Sequence, residues 1–525
     1  MYRKLLFLVA LACAAGADVN AQATVWSTDV APILFNKCAS CHRPGGIAPF
    51  SLTTFSEAST RAASISAAVH SKTMPPWPPD PHYSRLAHER LLSATEINKI
   101  KEWAAGGATQ GDPTKAPPVP TFNPDGDLAG APDMIAKIPH YTSTATNAKG
   151  DVYQCFVVPN TQSADKFITA FEAIPGNRPI VHHVLVYADT TGTAVGLDAA
   201  TTEPGYTSFG GIGTDDAILL GGWVPGTAPL KYPTGFGVKL PKDADIVIQI
   251  HYPAGSDGQV DSTKIKFFFS PTPVRDVFII PALNHVTNID KPLVIPANQT
   301  KSFTEQQLLP YNISLLGVAP HMHLIGKEIN VFGVSGADTL KFINIKNWDF
   351  HWQGFYMFKK MMKVPIFTML YSNAFYDNTT NNPRNPSNPP ILVKEGEGTK
   401  DEMMLTYFIA SMYQNGDENI VIDPTTIELS VPNTNAFGAQ ELFEPYPNPA
   451  SNQLIVKTYL AKAERVNIQV VNALGQVVKT LANNERMEEG YAARTYSVSD
   501  LTNGMYQLRF IAGERVKTQK LVVQH

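Results

Sequence analysis

The chain has 525 residues, 44% of them hydrophobic and 17% charged, with a net charge of −4. That length predicts roughly three to four domains, and a near-neutral balance with no basic run excludes nucleic acid as a partner. The 41 prolines and 36 glycines point to many turns in a folded, soluble protein rather than to long helices.

Residues 1–23 carry the marks of a secretory signal: a charged start at Arg3-Lys4, a short apolar run from Leu5 to Ala17, and a small-residue cleavage site at Ala21-Gln-Ala23. The run is too short to span a bilayer, and no later run reaches spanning length. An exported protein without a transmembrane segment in its mature form is expected. Cys13 matches a lipidation site poorly and leaves with the signal. Of the four cysteines, two sit in a motif, which leaves Cys155 without a partner and predicts a small buried hydrophobe rather than a disulfide.

Residues 24–112 predict a small all-α domain. Cys38-Ala-Ser-Cys41-His42 is the pattern for covalent haem attachment, with two thiols for the vinyl groups and the histidine for the iron. A zinc half-site and a thiol redox pair are the alternatives, and export favours haem. Met74, in Met74-Pro-Pro-Trp77, is the candidate for the opposite axial ligand, with His70, His82 and His88 ranked behind it. Ser93-Ala-Thr-Glu96 is a capping box opening a helix whose apolar stripe is Ile97, Ile100 and Trp103, and that helix is expected to pack on the haem edge. The segment resembles a class I cytochrome c.

Residues 113–135, with Pro113, Pro117, Pro118, Pro120, Pro124 and Pro132, predict a stiff linker that holds the haem domain near its neighbour without fusing their cores. Strand patterns follow. In Ala244-Asp-Ile-Val-Ile-Gln-Ile-His251, alternation puts Val247, Gln249 and His251 on one face and Ile246, Ile248 and Ile250 on the other. The same period places His321 and His323 together with Met322 opposite, and Met403 with Leu405 and Tyr407. Adjacent His182 and His183 need a bulge or strand end to share a target. Imidazoles with a thioether suit copper cycling between two oxidation states, since soft sulfur favours the reduced ion.

The local strings Tyr153-Gln-Cys155, Val181-His-His-Val184, Gln249-Ile-His251-Tyr252, His321-Met-His323-Leu324 and Asp401-Glu-Met403 closely resemble the copper type II, ascorbate-dependent monooxygenases, which include the peptidylglycine and dopamine hydroxylases. The resemblance implies two jelly-roll β-sandwiches in tandem, residues 136–275 and 276–431, facing each other across an open, solvent-filled cleft. It implies an electron-storing copper on His182, His183 and His251 and an oxygen-activating copper on His321, His323 and Met403, with Gln249 and Tyr407 beside them. Dioxygen and a small organic or peptide-like substrate are the implied reactants. Ala319 stands where the peptide-amidating members place an arginine, which argues against a glycine-extended peptide. His351 is expected to be a packed structural histidine rather than a site residue, and His140 and His285 carry no expected role. The haem is expected to relay electrons to His182, His183 and His251, replacing or supplementing ascorbate. The alternative is a surface haem and copper electron-transfer protein without oxygen insertion.

Residues 441–525 predict a small hairpin-rich β-sandwich. Tyr446-Pro-Asn-Pro-Ala450, Leu474-Gly-Gln-Val-Val and Asn503-Gly-Met-Tyr-Gln-Leu-Arg-Phe510 resemble the type A C-terminal sorting domain of the type IX secretion system of Bacteroidetes bacteria. That implies contact with the secretion machinery and a secreted, cell-surface or outer-membrane destination.

Overall fold

The computed structural model describes residues 23–423, apart from 124 and 215, and residues 440–525, apart from 443, 444, 446, 461, 473, 474, 489 and 514. The expected export signal up to residue 22, with Cys13, and Tyr446 and Leu474 of the C-terminal strings lie outside these residues. The chain divides into two bodies, residues 1–425 and 426–525. It is mainly β, with a small all-α domain ahead of two β-sandwiches in tandem in the first body and a β sorting domain as the second.

The helices of the α domain are α1 (Ala31–Lys37), α2 (Phe55–Ser59), α3 (Ala62–His70) and α4 (Ala94–Ala105). The capping box closes as its sequence predicts: Glu96 N–H donates to Ser93 Oγ at 3.2 Å and Ser93 N–H to the Glu96 carboxylate at 2.7 Å. Two otherwise orphaned donors are satisfied, and Ile100 and Trp103 turn inward against Trp26, Leu34 and Ile65.

After α3 the prolines at 75–79 forbid a helix. The extended chain pairs with the second sandwich, Pro79 bridging Ile345 and Leu86 bridging Phe358. Leu86 is fully buried in the core of the second sandwich and Ala87 joins that of the first. The helices keep a core of their own, while these two residues of the 24–112 segment enter the sandwich cores. An extended segment presents backbone donors and acceptors to open sheet edges, and burying one leucine adds about 2 kcal/mol.

In the first sandwich one sheet runs in the order Tyr206–Thr207, Val152–Val158, Asp245–Tyr252, His183–Asp189, Ile218–Trp223. Ile246, Ile248 and Ile250 pack inward on the facing sheet with Phe171 and Phe267. Val247, on the opposite face, is covered with Cys155 by Ala194, Tyr206 and Ile212. The strands Arg275–Asp276 and Phe236–Leu240 pair in parallel, and the chain then enters the second sandwich at Phe278–Asn284.

The second sandwich has two four-stranded sheets. One is Phe278–Asn284, Leu405–Met412, Ile313–His321, Tyr356–Val364; the other is Gln299–Leu308, Met369–Asn378, Gly326–Ser335, Asp338–Ile345. Val318, Phe342 and Phe408 fill the space between them. Leu316, Met357 and Ile409 join the core of the first sandwich, so the two sandwiches meet through apolar side chains.

The second body pairs a three-stranded sheet (Gln440–Leu442, Gln453–Leu460, Gly490–Ser497) with a four-stranded one (Val477–Met487, Glu464–Val471, Gly504–Ala512, Arg515–Val523). Its core includes Leu454, Val456, Ile468 and Phe510. Among the described residues no helix is long and apolar enough to cross a membrane.

Candidate metal centre

His251 stands near the end of Asp245–Tyr252, directly opposite His183 on one neighbouring strand and Tyr153 on the other. His182 lies just before the strand that His183 begins, so strand alternation does not bind it. Its backbone N–H donates to His251 O at 2.9 Å, which fixes the turn that brings its ring alongside. The strand end resolves the geometry of the adjacent pair.

The three Nδ1 atoms face one point, with separations of 3.1 Å (His182 to His251), 3.3 Å (His183 to His251) and 3.4 Å (His182 to His183). The centre of such a triangle lies about 1.9 Å from each nitrogen, against about 2.0–2.1 Å for an imidazole–metal bond. Three neutral imidazoles cannot hydrogen-bond in all three directions at once, so their lone pairs repel unless a cation sits among them. Burial keeps His182 neutral, pushing it down to about 3 with the neighbouring His251 and His351 adding to the effect. His183 is pushed well below its ordinary value by burial and then by the histidines around it. Behind His251, the Asp151 carboxylate lies 3.1 Å from Nε2, at ion-pair distance though off the line of the N–H. Burial raises Asp151, but the contact with His251 outweighs it and holds the acid at about 2. A carboxylate behind an imidazole keeps the proton on the outer nitrogen and the lone pair on the inner one. Tyr153 stacks on the His251 ring, 4.3 Å away and 6° from parallel.

The second set uses the opposite nitrogens. His321 Nδ1 is hydrogen-bonded to Gln353 Oε1, and His323 Nδ1 to the Asp401 carbonyl at 3.0 Å, which leaves each Nε2 free. The two rings are 5.0 Å apart and nearly perpendicular. Met322 is fully buried in the core on the other side, as alternation predicts. Burial holds His321 at about 3 and His323 at about 4, both neutral and able to ligate. Met404 packs into the core, while Met403, Leu405 and Tyr407 line the same cleft as His321.

Glu402 ties this second set together. Its carboxylate accepts from the backbone N–H groups of His323 (2.9 Å), Ile325 (2.8 Å) and Met403 (3.3 Å). Tyr376 Oη donates to Met403 O at 2.8 Å, and Trp348 Nε1 to His323 O at 3.2 Å.

Phe350 closes the space between the sets. Its ring is 6.1 Å from His182 and 5.8 Å from His323. The cleft is a cavity of about 140 Å³ lined by His182, His183, His321, Phe350, Met403 and Tyr407 among others. Phe350, His351, Gln353, Gly354 and Phe355 of the 350–355 segment form part of its wall. No arginine or lysine lines it among the described residues, and Ala319 does. Gln249 also lines it, with its amide nitrogen donating to Ser208 O (3.1 Å) and Gly211 O (2.6 Å), so it anchors the covering loop. Tyr407 is half-buried, and the loss of solvent around its phenol pushes it up to about 12. His351 is not packed: its side chain is 62% exposed, with Nδ1 3.0 Å from Asp349 and its ring 5.6 Å from His182. His140 is exposed, and His285 is buried against the Met404 backbone.

In the α domain, Cys38 and Cys41 are unpaired thiols on the turn that ends α1. His42 Nδ1 lies 3.1 Å from Phe50 O, which leaves Nε2 as the nitrogen that could take a ligand. Burial pushes the Cys38 thiol up to about 12, unlike the lowered value that a thiol redox pair needs. Among the described residues, the one group of three His, Cys, Asp or Glu ligand atoms that converges is His182, His183 and His251, so Cys38, Cys41 and His42 do not close on a point as zinc ligands do. Met74 is 36% exposed, and His70, His82 and His88 are exposed too. The structure therefore brings none of the four candidates inside the fold as the opposite ligand.

Asp151, Glu402, Phe350 and Gln353 were not singled out by sequence reasoning. Glu402 lies inside the string Asp401-Glu-Met403, next to the ligand candidate Met403, and Phe350 and Gln353 flank His351 in Asp349-Phe-His-Trp-Gln353.

Residues 444–524 match the family described as secretion system C-terminal sorting domain. The chain therefore carries a type IX sorting domain and is an exported, cell-surface or secreted protein. No curated protein matches the chain. Among solved structures, the adhesin domain of Epf from Streptococcus pyogenes is similar over 43% of this chain and 72% of that one, at 9% identity and TM-score 0.13. Latent dimeric PorU from Porphyromonas gingivalis is similar over 71% and 34%, at 10% identity and TM-score 0.15. A β-glucuronidase from Parabacteroides merdae is similar over 50% and 31%, at 10% identity and TM-score 0.14. At such scores these likenesses carry no argument about fold or activity.

Proposed function

We propose that the chain is an exported copper-dependent monooxygenase that hydroxylates a C–H bond of a small, largely apolar substrate, with haem bound at Cys38, Cys41 and His42 and a type A sorting domain at its C-terminus. The observation that carries this reading is the Nδ1 triangle of His182, His183 and His251 at 3.1–3.4 Å, beside a second set that offers the Nε2 atoms of His321 and His323 with Met403 in the same cleft. Copper held by these two sets supplies reductive activation of dioxygen: R–H, O₂, two electrons and two protons give R–OH and water, the electrons coming from the haem, from an ascorbate-like reductant, or from both.

The rest falls to the chain's own residues. Three imidazoles without a thioether change little between oxidation states, which suits storage of an electron; adding the Met403 sulfur to two imidazoles favours the reduced ion. Asp151 and Gln353 fix the imidazole tautomers, and Glu402 fixes the loops that carry His323 and Met403. Phe350, Leu405 and Tyr407 exclude water and select a substrate that is apolar where it enters. The absence of arginine and lysine from the described lining disfavours a carboxylate there. Gln353 also lines a second cavity beside Cys41 while holding His321, which favours delivery of haem electrons toward the second set.

The electron-transfer alternative draws on Phe350, which leaves little room between His182 and His323. Copper analysis with dioxygen uptake across a substrate panel separates the two. Uptake linked to substrate and abolished in Met403→Ile supports hydroxylation; uptake indifferent to that change sinks it.

A further inference from the structure

A cavity of about 810 Å³ lies between the α domain and the β-sandwiches, lined by Cys41, Arg43, Trp77 and Arg90 on one side and by Gly226 and Gln353 on the other. Three buried donors in its wall have no hydrogen-bond partner: Arg43 Nη1, Trp77 Nε1 and Arg90 Nε. Buried donors are almost always paired in a native protein, and each exception asks for an explanation. The thiol of Cys41 and the guanidinium of Arg90 meet over Gly226, where a Cβ would come 3.1 Å from Sγ and 2.5 Å from Nη1. Arg90 Nη1 donates to Gly226 O at 2.7 Å, and its guanidinium lies 5.8 Å from the centre of the Trp77 ring. Arg43 is held over Phe122 at 3.9 Å. Burial and then the nearby Arg178 push Arg43 below its ordinary value, and burial does the same to Arg90. The cavity is thus lined by both signs of charge, Arg43, Arg90, Arg178 and Lys231 with Asp127, Glu172 and Asp423, and it keeps three unpartnered donors near one attachment thiol.

We propose that this chamber seats the carboxylate-bearing edge of the tetrapyrrole attached at Cys41, with Arg43, Arg90 and the Trp77 indole as donors to its two carboxylates. The inference rests on the haem reading above and deepens it: the haem belongs to a pocket completed by the first sandwich, not to a self-contained cytochrome. Paired arginine–carboxylate contacts neutralise negative charge near the iron, and neutralisation favours the ferrous state.

The test uses the full chain produced with a haem-attaching export system, with haem content read from absorbance and midpoint potential from spectroelectrochemical titration. Arg43→Gln removes a donor that makes no hydrogen bond through Nη1, Arg90→Gln removes the second cation, and Trp77→Phe removes an N–H but keeps a ring against Tyr356. Each lowers the potential, the two arginine changes shifting the reduced-to-oxidised ratio at fixed potential by about tenfold, equivalent to about 59 mV for one electron. Arg85→Gln, outside the chamber and paired with Glu89, leaves it unmoved. Unchanged potentials with normal haem content overturn the inference and leave the haem reading standing. So does a rise in KM for an acidic substrate without a change in potential, which assigns the chamber to a free carboxylate. A wild-type chain that carries no covalent haem overturns both.

Discussion

The ring of Phe350 lies 20° from parallel with that of His182, centroids 6.1 Å apart, and is nearly perpendicular to that of His323, 5.8 Å away. One side chain therefore touches a histidine of each candidate copper set. In Phe350→Leu both sets still fill with metal, but water enters the cleft and the substrate loses its wall. Hydroxylation is expected to slow by about tenfold or more, the effect of a lost positioning contact, while copper content stays at the wild-type value. Rapid-quench product analysis against metal analysis checks this.

Asp151→Asn takes the carboxylate from behind His251 without changing its size. Loss of such a partner typically lowers metal affinity about 10- to 100-fold. The loss falls on the His182, His183 and His251 set alone, since the Asp151 carboxylate lies against His251. Competition with a graded series of chelators, followed by electron paramagnetic resonance, resolves the two sets; equal weakening of both contradicts the assignment.

Glu402→Gln retains the shape of a buried acid but loses one of two acceptor oxygens that between them hold three backbone N–H groups. Leaving a buried donor unmet costs about 1–3 kcal/mol. The thermal midpoint falls, and copper is lost from the His323 and Met403 side while the Nδ1 triangle keeps its ion. Thermal unfolding with parallel copper counting reads both effects.

Asp417 clasps the junction of the sandwiches. It pairs with Arg275 at 2.6 Å and accepts from Ser314 Oγ at 2.5 Å. The bonds from Arg275, chiefly, hold it at about 2 against an ordinary 3.8. Because the folded value is depressed, the stabilisation is complete above pH 4 or so and is lost as pH falls through 2. It amounts to about 2 kcal/mol. Asp417→Asn loses it at neutral pH, and its stability then changes less than that of the wild type between pH 4 and 2. Urea unfolding across that range measures the difference.

Much of this arrangement was legible in residue order. Alternation in 244–251 placed Ile246, Ile248 and Ile250 in the core, and Met322 opposite His321 and His323, because period-two geometry is local and a buried face enforces it. What residue order did not reveal depends on contacts far apart in the chain. Asp151 meets His251 across two paired strands, and Gln353 reaches His321 from a separate 3₁₀ turn; neither sits in a recognisable string. The segment 75–90 misled for a similar reason. Its prolines mark an extended chain, but nothing local says that Leu86 and Ala87 will enter two different cores.

The Nδ1 triangle is built by backbone pairing, His251 opposite His183 and His182 N–H fastened to His251 O. An empty version therefore keeps three lone pairs pressed together, and capture of a cation relieves that repulsion with little rearrangement. On the proposed reading, such a cage is prepared to take up any ion that suits three imidazoles, whether or not it is copper. The identity of the metal in a purified sample will thus record where the protein has been, and loading under controlled copper must come before any measurement of what it does.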